Sequence, residues 1–111
     1  AQQKRWGLST RCRWVVASVN PPVAAEFCKW AAARGSVASI GDYRDVPLKV
    51  DVDESAGVGV DRLLGALAAR SQTPVGTAAV TVDVGTAVTV NLVDASGTFC
   101  GGAIFPGPRL M

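Results

Sequence analysis

The stretch Ala78-Ala79-Val80-Thr81-Val82-Asp83-Val84-Gly85-Thr86-Ala87-Val88-Thr89-Val90-Asn91-Leu92-Val93 alternates β-branched with small or polar residues on both sides of one glycine. Alternation with a period of two, broken once by a turn residue, predicts two antiparallel strands over 78–84 and 86–93, joined by a tight turn at Val84-Gly85. Asp94-Ala95-Ser96-Gly97 then turns the chain into a third strand, Thr98 to Phe105, and the three strands form a meander. Val80, Val82 and Val84 face one side of the first strand. Thr81 and Asp83 face the other, so a carboxylate and hydroxyls line one face beside the turn. With few helices to cover it, such a meander leaves an edge and an apolar face exposed.

Upstream of the hairpin, Ala56-Gly57-Val58-Gly59-Val60-Asp61-Arg62 reads as a loop running into a helix that carries Leu63, Leu64, Leu67 and Ala68 on one face. Ala69-Arg70 completes that helix before Ser71-Gln72-Thr73-Pro74 breaks it, which puts Asp61 and Arg62 at its N-terminal end. Leu48 to Val52 alternates apolar and charged residues, as an edge strand with one wet face does. A short strand is expected around Val37 to Ile40, with a turn at Gly41-Asp42. Near the start, Arg13 to Ser18 is a β-branched run that reads as a strand. Asn20 is a good N-cap, Pro21 and Pro22 fit the first helical positions, and Gly35 can end the helix in the left-handed conformation. Val23, Phe27 and Trp30 fall on one face of that helix and are assigned to packing.

The 111 residues suffice for one small core and are too few for a two-lobed enzyme. An apolar fraction of 49% against 18% charged residues excludes an intrinsically disordered chain. With no histidine, Ser-His-Asp and Cys-His catalysis and histidine-ligated metals are excluded, and chemistry must come from carboxylates, Arg or Lys, hydroxyls and backbone N–H groups. Cys12, Cys28 and Cys100 are odd in number and widely spaced, so they define neither a disulfide framework nor a zinc site, and buried free thiols are expected. A formal charge of +2 argues against a nucleic-acid partner. Lys4, Arg5, Arg11 and Arg13 with Trp6 and Trp14 make the start locally basic, which reads as a solvated strand edge. No apolar run reaches the roughly 18 to 20 residues needed to span a bilayer, and the start lacks the apolar core of a signal peptide, so no membrane contact and a cytoplasmic location are expected.

Three segments can carry chemistry. In Asp83-Val84-Gly85-Thr86-Ala87-Val88-Thr89, a glycine turn lets backbone N–H groups approach a phosphate, the Thr86 hydroxyl adds a donor, and Asp83 can hold a cation. The same turn also serves plain hairpins. In Gly59-Val60-Asp61-Arg62, the aspartate can accept a proton from a substrate hydroxyl and the arginine can clamp a carboxylate. The competing reading is helix capping by Asp61 with Arg62 solvated. Gly101-Gly102-Ala103-Ile104-Phe105-Pro106-Gly107 brackets an apolar strand with glycines that mark either a ligand approach or a bulge.

In this order the segments resemble the type III pantothenate kinase family. The carrying residues are Ser18-Val19-Asn20-Pro21, the G-x-D-R loop Gly59 to Arg62, the D-x-G-T-A-x-T hairpin Asp83 to Thr89, and G-G-x-I-x-P-G-x-x-L-M from Gly101 to Met111. The resemblance implies the acetate and sugar kinase, Hsp70 and actin architecture: an α/β, ribonuclease-H-like fold, here incomplete, with strand-helix units followed by the meander. Residues 1–74 would be the C-terminal part of the first lobe, with the substrate loop and helix, and 75–111 the first three strands of the second. It implies transfer of the ATP γ-phosphoryl group to the pantothenate hydroxyl in coenzyme A synthesis, with Mg2+ accompanying ATP, a monovalent cation (K+ or NH4+) and a homodimer. Position by position, it makes Asp61 the proton acceptor and Gly59, Val60, Asp61 and Arg62 part of the pantothenate site. Asp83 binds the cation, and Thr86 with Gly85 contacts ATP phosphate.

The chain also departs from the family pattern. The family's N-terminal D-x-G-N-T phosphate loop is absent, Val52 stands where a Tyr is often found, and Asn91 replaces the Asp that usually ends D-x-G-T-A-x-T-x-D. Without the first phosphate loop, this polypeptide by itself is expected to have little or no kinase activity. The alternative is a non-catalytic regulatory or accessory binding protein that keeps the fold, for which the basic Trp6 to Trp14 segment is the local support.

Overall fold

The computed structural model describes residues 5, 7 and 11–110, and the backbone alone at 110. Lys4, Trp6 and Met111 lie outside the described residues, whereas Arg5, Arg11, Arg13 and Trp14 of the basic aromatic start lie within them. The chain divides into two compact units, Ala1–Gly41 and Asp42–Met111.

The first unit is a β-α-β element. Strand β1, Cys12–Ala17, pairs in parallel with β2, Gly35–Ile40, in a register running from Cys12 opposite Gly35 to Ala17 opposite Ile40. Helix α1, Pro21–Ala32, connects them, and the Asn20 side chain accepts the Val23 N–H at its start as expected. Gly35 does not end the helix. Ala33 closes it in an ordinary right-handed conformation, and Gly35 opens β2 where the Cys12 carbonyl leaves no room for a Cβ. Phe27 and Trp30 pack edge-on against Trp14, at centroid distances of 5.7 and 5.6 Å, yet both stay substantially exposed. The Arg34 guanidinium covers Trp30 at 4.0 Å from its ring centroid.

The second unit is built on a four-stranded mixed sheet in the order β3-β6-β5-β4, from Lys49–Val50, Ala79–Val84, Ala87–Val93 and Thr98–Pro106 as β3 to β6. The antiparallel meander β4-β5-β6 is as read from the sequence. The strand expected over 48–52 shortens to two residues, an edge strand parallel to β6. Helix α2, Val60–Gln72, packs on β4 and β5, and the expected lobe boundary after Pro74 lies in the connection between α2 and β4. The buried stripe of α2 is Val60, Leu63 and Ala66; Leu64 and Leu67 are half-buried and Ala68 is exposed, so the face is rotated from the expected one. Leu63, Val93 and Phe99 are the large apolar side chains buried at the centre of this core.

The two faces of β4 separate as the alternation requires. Thr81 lies on the face that holds α2, whereas Val80, Val82 and Val84 are 62, 59 and 68% exposed on the other, the uncovered apolar face foreseen for the meander. The hairpin turn is Gly85-Thr86 rather than Val84-Gly85, with Val84 paired to Val88. At the β5-β6 end, Asn91 opposes Gly102 and Val93 opposes Phe99, so β6 carries an extra residue. Gly101, at φ +91°, takes the backbone conformation that this bulge needs.

The β5-β6 turn is tied by Asp94, whose carboxylate accepts from Ser96 N, Ser96 Oγ and Thr98 N at 2.9, 2.6 and 3.0 Å. The Ser96 hydroxyl and the Thr98 N–H lower the pKa of Asp94. Desolvation and the Asp94 carboxylate, 3.5 Å away, raise that of the Cys100 thiol. The cysteines are free, but none is fully buried, contrary to expectation, and Cys100 is exposed.

Two stability predictions follow. Leu63→Ala should cost about 2 to 5 kcal/mol by urea unfolding, while Ala68→Ser stays within about 0.5 kcal/mol, because only the first empties a core position. A carboxylate with a depressed folded pKa stabilises above its unfolded value and loses that contribution as pH falls through the folded one. Asp94→Asn should therefore lower Tm at pH 7, with the gap to wild type closing as the pH drops below about 4.

Candidate active site

Helix α2 begins at Gly59, whose lack of a side chain leaves the helix without a side-chain cap. Asp61 sits in the first turn and does not cap; its side chain is exposed toward a cleft of about 490 Å3. That cleft is also lined by Asp83 at the end of β4, by the Gly85-Thr86 turn and by Thr89. Gly65, one turn along α2, lies beside Asp83, where a Cβ would sit 3.8 Å from Oδ2. Two carboxylates, two hydroxyls and a glycine turn thus share one concave surface.

The turn is held from both sides. Gly85 N–H donates to the Ala87 carbonyl at 2.9 Å, and Gly107 N–H, just past β6, donates to the Thr86 carbonyl at 2.8 Å. The G-G-x-I-x-P-G segment therefore clasps the back of the D-x-G-T hairpin and fixes where Thr86 lies. Pro108 and Arg109 then line a neighbouring cleft with Gly85 and Thr86.

Arg62 leaves the helix on a different side from Asp61 and lines a second cleft, of about 510 Å3. Its walls include Val52, Gly57 and Val58 from the loop before α2, and Gly101 and Gly102 from the bulge. Asp51, Asp53 and Glu54 line it too, so Arg62 brings positive charge to an otherwise acidic wall. Arg62 is half-buried, and its Nε donates to Asn91 Oδ1 at 2.7 Å, which displaces the reading of a solvated arginine.

The predicted residues thus fall into two groups: Asp61, Asp83, Gly85 and Thr86 converge on one cleft, and Arg62 serves the other. Val60 is 4% exposed and belongs to the core, so only its backbone is available to a ligand, and Gly59 supplies the helix start. Asn91 and the clasp by Gly107 were given no role by the sequence reading, and Thr81 was placed only on the polar face of its strand. Asn91 is polar within an apolar strand, which was a signal. Its partners depend on the strand register.

Carboxylates facing a glycine-threonine turn are groups with which an α/β protein handles phosphate and its counter-cations. The family model that matches residues 2–111 is that of type III pantothenate kinase. The chain is 39% identical over 95 residues to a type III pantothenate kinase of Rubrobacter xylanophilus, covering 84% of this chain and 35% of that protein. It is 35% identical over 96 residues to one of Persephonella marina, covering 84 and 36%, and 49% identical over 67 residues to one of Rhodopirellula baltica, covering 59 and 23%. The chain belongs to the type III pantothenate kinase family. The aligned part spans about a quarter to a third of the length of these relatives.

Proposed function

We propose that the protein carrying this chain transfers the γ-phosphoryl group of ATP to the primary hydroxyl of pantothenate, a step of coenzyme A synthesis. The observation that carries this reading is the convergence of Asp61 with Asp83 and Thr86, which come from two separate motifs, on one cleft. In that cleft Asp61 accepts the proton of the pantothenate hydroxyl as its oxygen bonds to the γ-phosphorus and ADP departs. Thr86 and the backbone of Gly85 contact ATP phosphate, an arrangement suited to a loose transition state that asks mainly for positioning. The second cleft holds the carboxylate end of pantothenate, with the backbone of Gly59 and Val60 shaping the approach and Arg62 meeting the carboxylate.

The cation fits by chemistry. The donors around Asp83 are carboxylate, hydroxyl and carbonyl oxygens, which suit K+, NH4+ or Mg2+ better than a soft metal. Asp83 would hold the monovalent cation, whose charge offsets that of the phosphates; Mg2+ would arrive with ATP. The ribonuclease-H-like architecture belongs to the same proposal and is supported by the antiparallel strand order β6-β5-β4. So do the homodimer and the cytoplasmic location. Among the described residues no helix is long and apolar enough to cross a membrane. The 111 residues contain no D-x-G-N-T sequence, so the chain alone is expected to turn over little or nothing, and the full-length protein is the material for assay.

In that protein, Asp61→Ala should lower kcat at least about a hundredfold with pantothenate and ATP, and a loss below about threefold would remove Asp61 as the proton acceptor. Asp83→Asn should abolish the stimulation of turnover by K+. Equal K+ dependence in wild type and variant would place the cation elsewhere.

A further inference from the structure

Arg62 reaches its cleft as one member of a polar chain centred on the buried Asn91. Its Nε donates to Asn91 Oδ1 at 2.7 Å, and Asn91 Nδ2 donates to Thr81 Oγ1 at 3.1 Å. Thr81 is the direct cross-strand neighbour of Asn91, and Asn91 is 0% exposed. An arginine has donors only, so the Asn91 atom facing it must be the oxygen, which turns the amide nitrogen toward Thr81. The chain thereby has one orientation. A fully buried amide that spends both ends on a single arginine and a single hydroxyl is more than filler in a strand of valines.

We infer that Asn91 is the positioning residue for Arg62. It engages one of the five guanidinium N–H donors and leaves the other four, together with the whole positive charge, for an anionic group in the cleft. Packing supports the same pose, with the guanidinium 6.0 Å from the Phe99 ring centroid. Among the described residues no carboxylate is paired with Arg62. The acidic side chains Asp51, Asp53 and Glu54 line the same cleft, so a carboxylate is admitted only at the Arg62 end and the substrate is oriented by charge. This inference rests on the reading of that cleft as the pantothenate site.

The test uses the full-length protein with Asn91→Leu, Asn91→Asp and Thr81→Val. Leucine matches asparagine in size but accepts no hydrogen bond, whereas aspartate still accepts from Arg62 Nε and can take a hydrogen bond from the Thr81 hydroxyl. Asn91→Leu should raise KM for pantothenate about tenfold or more while KM for ATP stays within about twofold. Asn91→Asp should bring KM for pantothenate back to within about threefold of wild type. The Arg62 Nε–H resonance, followed by NMR, should be slow to exchange with solvent in wild type and fast in Asn91→Leu. Thr81→Val, which removes only the hydroxyl that orients the amide, should move both readouts in the same direction but less, and stands in if Asn91→Leu fails to fold. The inference is overturned if Asn91→Leu leaves KM for pantothenate unchanged, if both KM values rise together, or if Asn91→Asp behaves like Asn91→Leu. A wild-type protein that phosphorylates no pantothenate sinks the functional reading and the substrate part of the inference. The exchange of Arg62 Nε–H then decides the positioning role by itself, and slow exchange retained in Asn91→Leu rejects it.

Discussion

The packing of α2 on β4 and β5 is the contact on which both clefts depend. Val60, Leu63 and Ala66 form the buried line of the helix, and Leu63 is fully enclosed. Successive helical residues diverge by about 100°, so the two residues between Val60 and Leu63 must leave on opposite flanks of that line. Asp61 therefore turns toward the hairpin of β4 and β5, and Arg62 toward the bulge of β6. An Asp-Arg dipeptide serves two adjacent pockets because the apolar residues around it fix the rotation of the helix.

The other fixed point is the hairpin turn. Gly107 N–H on the Thr86 carbonyl joins the end of β6 to the tip of the β4-β5 turn, so two segments well separated in sequence brace one another. Such bracing suits the proposed contact with phosphate, because backbone groups that meet a substrate must already be in place when charge develops on it. The bulge at Gly101 does related work at the opposite end of β5. It lets β6 carry an extra residue, and places Gly101 and Gly102 on the wall of the Arg62 cleft. Of the two readings of these glycines, bulge and ligand approach, the fold uses the first in a way that leaves room for the second.

Much of this was legible because local chemistry and tertiary structure agree. The meander follows from alternation, the start of α1 from Asn20 and its two prolines, and the placing of Asp61 at a helix start from the loop before it. What escaped was governed by rotation and register. Leu63, Leu64, Leu67 and Ala68 form an apolar face on a helical wheel, but the sheet beneath selects Val60, Leu63 and Ala66. Placing the turn at Val84-Gly85 would pair Thr81 with Val88. The observed hairpin leaves three residues, Gly85 to Ala87, between the paired Val84 and Val88, so Thr81 pairs with Asn91, and this odd shift moves every β5 side chain to the other face relative to β4. The Arg62-Asn91-Thr81 chain was invisible for that reason, since it exists in one register only.

Asn91 also shows how a positioning contact can outlast a change of charge. The family resemblance leads to an aspartate at this position, and a carboxylate that is fully enclosed has to be compensated by a cation nearby. Arg62, whose Nε is 2.7 Å from this position, would be that cation, held in the same pose. An asparagine needs hydrogen bonds but no counter-charge, and it obtains them from Arg62 and Thr81. Either residue presents an oxygen to Arg62 Nε, so the arginine keeps its geometry and its other four N–H donors stay available to the cleft. With Asp51, Asp53 and Glu54 on the walls, the guanidinium is what makes one end of the cleft hospitable to an anion.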